Sequence, residues 1–125
     1  MLPSLAVAVG GAIGSLARYW TTLLATRAWG DQFPWGTVLI NVFGSFIIGY
    51  FATATEPGAQ AEVTPNLRLF VMTGICGGYT TFSAFSLQTL SLLRTGDWPE
   101  AAANVAGSVV LCLAAVTLGH FLAQR

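Results

Sequence analysis

Ten charged residues are spread so unevenly along these 125 residues that they divide the chain by themselves. They stand at Arg18, Arg27, Asp31, Glu56, Glu62, Arg68, Arg94, Asp97, Glu100 and Arg125, and leave three charge-free stretches, Gln32 to Thr55, Leu69 to Leu93 and Ala101 to Gln124. Each stretch has roughly the 20 apolar residues a helix needs to cross a ~30 Å hydrocarbon core. A fourth, Leu2 to Thr26, has similar length but holds Arg18. The pattern predicts an all-α membrane protein with four transmembrane helices, built as a single domain over residues 1–125. Composition agrees: 54% of residues are hydrophobic and 8% charged, where a soluble domain carries about 25% charged residues to coat its surface.

The linkers support the division, because Gly30-Asp31-Gln32, Glu56-Pro57-Gly58 with Pro65-Asn66, and Thr95-Gly96-Asp97 are turn formers between apolar runs. Trp20, Trp29, Trp35 and Trp98 fall near the expected helix ends, where an amphipathic ring favours the headgroup level. No basic n-region precedes the first apolar run, so that run is expected to stay as a helix rather than be cleaved. Both basic and acidic residues number five, with no basic cluster, which excludes nucleic acid as a partner. Cys76 and Cys112 lack metal or disulfide spacing.

Arginines in short loops set membrane orientation. With four spans, one side carries Arg68 and Arg125, and the other carries Arg27 and Arg94, joined by Arg18 if it snorkels outward. So weak a bias allows insertion in both orientations. Four short helices also enclose a hydrophilic path poorly. An antiparallel homodimer is the expectation, the alternative being a topology fixed by a partner or by local features.

Polar groups inside the expected spans carry the functional reading. Gly10, Gly11, Gly14 and Ser15 form a small-residue face for close helix packing. Arg18 marks an aqueous vestibule or a structural tether, or else snorkels beside Tyr19 and Trp20. Asn41, on one drifting face with Thr37, Ser45 and Thr53, either offers its amide donors to an anion or makes an interhelical hydrogen bond. Gly77-Gly78 followed by Thr80-Thr81 weakens the third helix at its middle. A break there frees carbonyls that suit a small hard cation such as Na+; a continuous, closely packed helix is the alternative. Phe82 and Phe85, at i and i+3 in the most hydroxyl-rich stretch, share a face, and their ring edges are electropositive. Asn104, Ser108 and Cys112 form a second polar stripe at i, i+4 and i+8.

No Asp or Glu lies within a span, which speaks against a proton-coupled exporter. No nucleotide loop, metal-ligand cluster or nucleophile with its base is present either, and the single His120 has no acidic neighbour in sequence, so the chain is not expected to be an enzyme. A non-conducting assembly subunit remains possible on the glycine faces alone, but gives no reason for a polar, weakened helix at mid-depth. A small pore lined by donors and ring edges suits an anion.

Gly11-Ala12-Ile13-Gly14 through Arg18-Tyr19, Pro34-Trp35-Gly36-Thr37 with Asn41 and Gly44-Ser45-Phe46, and above all Gly77 to Ser86 with its Thr-Thr-Phe-Ser-Ala-Phe-Ser box resemble the Fluc/CrcB fluoride channel family across the whole chain. The resemblance implies a dual-topology antiparallel homodimer with two fluoride pathways in a bacterial inner membrane. It implies passive export of fluoride that enters as HF and is trapped as the anion. By the same resemblance, Phe82 and Phe85 line the path with their ring edges, beside Thr81. Asn41 is its amide donor, Ser108 belongs to a helix-four polar track, and Arg18 shapes a vestibule. The carbonyls of Gly77 and Thr80 from both subunits would hold a structural Na+. This chain departs from the family pattern at Asn104, often Tyr or His, and at Cys112, often Ser or Thr.

Overall fold

A computed structural model describes residues 1–59 and 61–125, and among them every regular element is helical. Helix α1 runs Leu2–Trp29, α2 Trp35–Ala54, α3 Pro65–Arg68, α4 Gly77–Tyr79, α5 Phe82–Arg94 and α6 Trp98–Ala123, with a π-helical segment, Leu69–Cys76, joining α3 to α4. Punctuation residues set most of these ends. Gly30, at φ 79°, stops α1 while its N–H still reaches the Thr26 carbonyl at 2.8 Å. Pro34 precedes α2, which therefore starts three residues inside its charge-free stretch. Thr64 caps α3 by accepting from the Leu67 N–H at 3.2 Å. Gly96, at φ 84°, turns the chain from α5 into α6.

Helices α2 and α6 are long and apolar enough to cross a membrane. The third charge-free stretch is divided into the π-helical segment, α4 and α5, so no single helix in it has that length. Helix α1 has the length, but it carries Arg18 and Arg27 and a polar glycine-serine face. It also runs three residues beyond its expected end. Trp29, Trp35 and Trp98 therefore sit at helix ends as expected, whereas Trp20 lies well inside α1. Large apolar side chains face outward on most of the helices, among them Leu16, Phe43, Leu87, Val110, Leu113 and Phe121. A water-soluble surface does not carry apolar area on that scale.

Two glycine-mediated seams organise the packing. Helix α1 lies along the π-helical segment and α4, and α2 lies along α6. A methyl added at Gly14 would stand 2.8 Å from the Tyr79 nitrogen, and one at Gly119 would stand 2.8 Å from that of Tyr50. These helices meet backbone to backbone, the arrangement small-residue faces permit.

At one end of the molecule the last turn of α2 is held from two sides. The Arg68 guanidinium donates to the Thr55 carbonyl and hydroxyl, both at 2.6 Å, and to the Ala52 carbonyl at 3.3 Å. These are the carbonyls a helix C-terminus leaves unpaired, and the cation also suits the negative end of the helix dipole. From α6, His120 Nδ1 hydrogen-bonds the Thr53 hydroxyl at 2.7 Å.

Candidate functional site

The chain stops being helical at Tyr79 and becomes helical again at Phe82. Thr80 (ψ 157°) and Thr81 (φ −153°) are extended, so backbone groups that a helix would pair internally need other partners. Asn41 supplies two of them. Its Nδ2 donates to the Thr81 carbonyl at 3.0 Å and its Oδ1 accepts from the Thr81 N–H at 2.8 Å. One side-chain amide from α2 thus pairs both backbone groups of Thr81 as a neighbouring strand would. The Thr81 hydroxyl then caps α5 by accepting from the Ala84 N–H at 3.2 Å.

The interruption leaves the carbonyls of residues 77–80 without their helical donors. In an unbroken helix the Thr81 N–H would bond the Gly77 carbonyl and the Ala84 N–H would bond the Thr80 carbonyl. Both N–H groups are taken by side-chain oxygens instead, one from Asn41 and one from Thr81. The Gly77 and Thr80 carbonyls are thus two of the four, Gly77 to Thr80, that the interruption deprives of a helical donor, since the Phe82 and Ser83 N–H groups make no backbone bond across it either. The preceding carbonyl, of Cys76, is fully used: it accepts the Thr80 N–H at 2.9 Å and the Thr80 hydroxyl at 2.8 Å.

Around the interruption lies an open cavity of about 440 Å³. Its walls include Asn41, Gly77, Thr80, Thr81, Phe82, Phe85 and Ser108, so seven of the eight site residues expected from sequence meet in one place. The rings of Phe82 and Phe85 are 5.3 Å apart between centroids and inclined at 47°. Phe85 is buried, while Phe82 is 78% exposed and turned out of the chain's own core. Arg18 is the exception: half-buried on α1, it lines neither this cavity nor the second one described below.

A smaller cavity, about 350 Å³, opens where the α1–α2 loop meets the end of α5. Its polar lining includes Thr22, Thr26, Thr37, Gln88 and Thr95 together with the carboxyl side chains of Asp31 and Asp97. Thr37 is 4% exposed. The Gln88 Oε1 atom is buried and has no hydrogen-bond partner among the described residues. Chemically, the central cavity offers hydroxyls and an amide in apolar walls with no carboxylate, a lining that favours a small anion over a cation, whereas the smaller cavity is bordered by two carboxylates.

Several participants were not visible in the residue pattern. Sequence reading left Asn41 between two roles because it cannot show which helix faces the amide. The clamp of Arg68 on α2 and the link from Thr89 to Asn104 (2.9 Å) join residues far apart in the chain. The π-helical segment likewise has no clear sequence signature, although such segments often accompany functional sites.

Residues 5–120 match the family described as CrcB-like protein, Camphor Resistance (CrcB). The chain is 57% identical over 117 residues to a fluoride-specific ion channel FluC from Opitutus terrae, spanning 94% of this chain and 89% of that protein. It is 55% identical over 122 residues to a protein of the same name from Gluconobacter oxydans, spanning 96% and 83%. A third, from Paramagnetospirillum magneticum, is 53% identical over 123 residues, spanning 98% and 96%.

Proposed function

The chain belongs to the CrcB family, and from that premise we propose that it is a fluoride-selective ion channel of a bacterial inner membrane, not an enzyme, that lets cytoplasmic fluoride leave passively. The observation that carries this reading is the central cavity itself. It gathers the Asn41 amide, the Thr81 and Ser108 hydroxyls and the Phe82–Phe85 ring pair around an interruption in the helix, with no acidic group among them.

The physical account follows from what fluoride loses on leaving water. A small, strongly hydrated anion crosses an apolar layer only where donors replace its hydration shell. Asn41 spends its oxygen and one N–H on Thr81, so a single amide N–H remains for the cavity, held in direction by the other two bonds. The Thr81 hydroxyl adds a donor at the interruption, the Ser108 hydroxyl adds one when it turns from Asn104 Oδ1, to which it donates at 3.3 Å, and the positive edges of Phe82 and Phe85 add weak attraction without a counter-charge that would trap the ion. Chloride is larger and a weaker acceptor, so the same closely set groups suit it poorly. Without a titrating acidic relay the path has no means of coupling to protons, which makes flow electrodiffusive.

The helical interruption is read as lying at membrane mid-depth, within a third span formed by residues 65–94. The carbonyls of Gly77 and Thr80 are assigned to a structural Na+ by the family resemblance, and both are among the four carbonyls that lose their helical donors at the interruption. Such an ion supplies a fixed positive charge beside the interruption when bound. Two oxygens per chain are too few for Na+, so the ion would sit between two copies. A dual-topology antiparallel homodimer with two pathways accommodates this, and agrees with the even distribution of arginines and with the outward-facing Phe82. Arg18, apart from both cavities, is assigned to the approach to the path or to tethering α1.

The test is efflux from liposomes holding the purified chain, driven by a K+ gradient with valinomycin and followed by a fluoride electrode. Rapid, voltage-dependent fluoride release with negligible chloride release is expected; release that instead tracks an imposed proton gradient would replace the channel by a coupled exporter. Reporter fusions after Arg125 should be active on both sides of the membrane, and activity on one side alone would remove the dual topology.

A further inference from the structure

At the end of α2 away from the Arg68 clamp, the smaller cavity gathers oxygen atoms that the chain itself leaves without partners. Asp31, in the α1–α2 loop, and Asp97, just before α6, border it together. Neither carboxylate makes an ion pair among the described residues. Asp97 Oδ2 accepts from the Thr95 hydroxyl at 2.7 Å, and its other oxygen takes no such bond. Deeper in the wall, Thr37 is only 4% exposed, yet its hydroxyl makes no hydrogen bond among the described residues. Beside it the buried Gln88 Oε1 has no donor either.

These absences point the same way. A buried acceptor without a donor is costly, and native proteins usually supply it with a partner or a ligand. Here the unpartnered groups come from four separate segments: one carboxylate from each of two loops, a hydroxyl from α2 and an amide oxygen from α5. Every one is an oxygen, and two carry negative charge. An all-oxygen set of that kind selects a hard cation, with no nitrogen or sulfur to favour a transition metal. The two carboxylates also set this cavity apart from the central one, since they repel an anion. Arg27 and Arg94 stand in the last turns of α1 and α5, but neither lines the cavity.

We infer that the smaller cavity is a hard-cation site of the Ca2+ type, held by the carboxylates of Asp31 and Asp97 and by the Gln88 amide oxygen and the Thr37 hydroxyl. Ca2+ takes roughly six to eight oxygens, and the cavity, at about 350 Å³, has room for the waters that complete the set. With two carboxylates rather than three or four, the site is weak, with a Kd on the order of 10⁻⁴ to 10⁻³ M. The bound ion clasps the α1–α2 loop to the α5–α6 loop. The site goes beyond the fluoride path and does not depend on it.

The experiment uses Tb3+, a luminescent stand-in for Ca2+, added to the full-length chain in a neutral detergent without fluoride. Trp35 lines the cavity, so tryptophan excitation should give Tb3+ emission that saturates and is displaced by Ca2+. Asp31→Asn and Asp97→Asn, both at exposed positions and close in shape to the native residue, should each weaken binding at least about tenfold. Gln88→Glu adds a third carboxylate and should tighten it about tenfold, a gain that a merely structural Gln88 would not produce. Saturating Ca2+ should raise the melting temperature of the wild type by a few degrees and leave that of the Asp31→Asn/Asp97→Asn double variant unchanged. Tb3+ bound with wild-type affinity by both single Asn variants, or no Ca2+-displaceable emission from folded wild type, overturns the inference.

Discussion

The α2–α6 pair and the 65–94 segment cross the molecule side by side, yet they are built on opposite terms. Helices α2 and α6 are continuous, apolar and joined where Gly119 meets the backbone of α2 so closely that no side chain fits. The 65–94 segment changes from α to π and back, and breaks at Thr80–Thr81, where it depends on a single asparagine from α2. The first arrangement satisfies its own backbone and gives stability. The second leaves backbone groups to be paired by side chains, and those exchanges create the polar cavity. The proposed function falls where the helix is least self-sufficient, with the rigid pair as the frame that aims Asn41 at it.

The difference can be broken first on the rigid side. Gly119→Val sets a side chain against the Phe46 carbonyl and the Tyr50 nitrogen of α2. Backbone cannot yield as a side chain can, so the cost should reach or exceed the ~3 kcal/mol upper range for overpacking. The expected result is loss of a monodisperse peak in detergent, measured by size-exclusion chromatography. A stable variant would mean that α2 and α6 do not meet there.

Changes at the interruption should act on conduction and spare the fold. Phe82→Ile removes a ring that is mostly outside the chain's own core. Fluoride efflux should drop by about 100-fold, corresponding to ~3 kcal/mol of lost stabilisation along the path, while the melting temperature stays near wild type. Asn41→Asp sharpens the comparison further. The carboxylate can still accept from the Thr81 N–H, but it no longer donates to the Thr81 carbonyl and it repels the ion. An unpaired buried carbonyl costs ~1–3 kcal/mol. Efflux should fall at least about tenfold with a modest drop in melting temperature, whereas unchanged efflux would reduce Asn41 to an interhelical tether.

The smallest effect belongs to the clamp at the end of α2. Arg68→Gln loses guanidinium bonds to Thr55 and Ala52. Because Arg68 is only half-buried, the loss should be about 1 kcal/mol of stability, read as a shift of a few degrees in melting temperature with fluoride efflux unaltered.

Much of this plan was legible in the residues, for identifiable reasons. Charge spacing marked the helical stretches because a membrane imposes length and excludes charge. Gly77-Gly78 with Thr80-Thr81 pointed to the position where the backbone departs from a helix, because those residues hold a helix poorly. Spacing also placed Phe82, Phe85, Asn41 and Ser108 on faces that the fold brings together. What spacing could not supply was pairing between helices. Whether Asn41 turns to an ion or to Thr81 depends on where α2 lies against the interruption, and the partnership of Asn104 with Thr89 depends on the rotation of α5 against α6. The tryptophans show the same limit: Trp20 resembled an end marker only because α1 reads as shorter than it is. Its true end is set by Gly30, whose φ of 79° halts the helix.

The most direct single measurement is fluoride efflux through purified Phe85→Ile, set against wild type in the same liposomes. Phe85 is buried, borders the central cavity and packs its ring against that of Phe82. If the interruption forms the fluoride path, wild-type vesicles will empty rapidly under valinomycin while Phe85→Ile vesicles retain their fluoride, with both proteins folded. Equal, rapid emptying by the two would contradict the account and move the path away from residues 77–85.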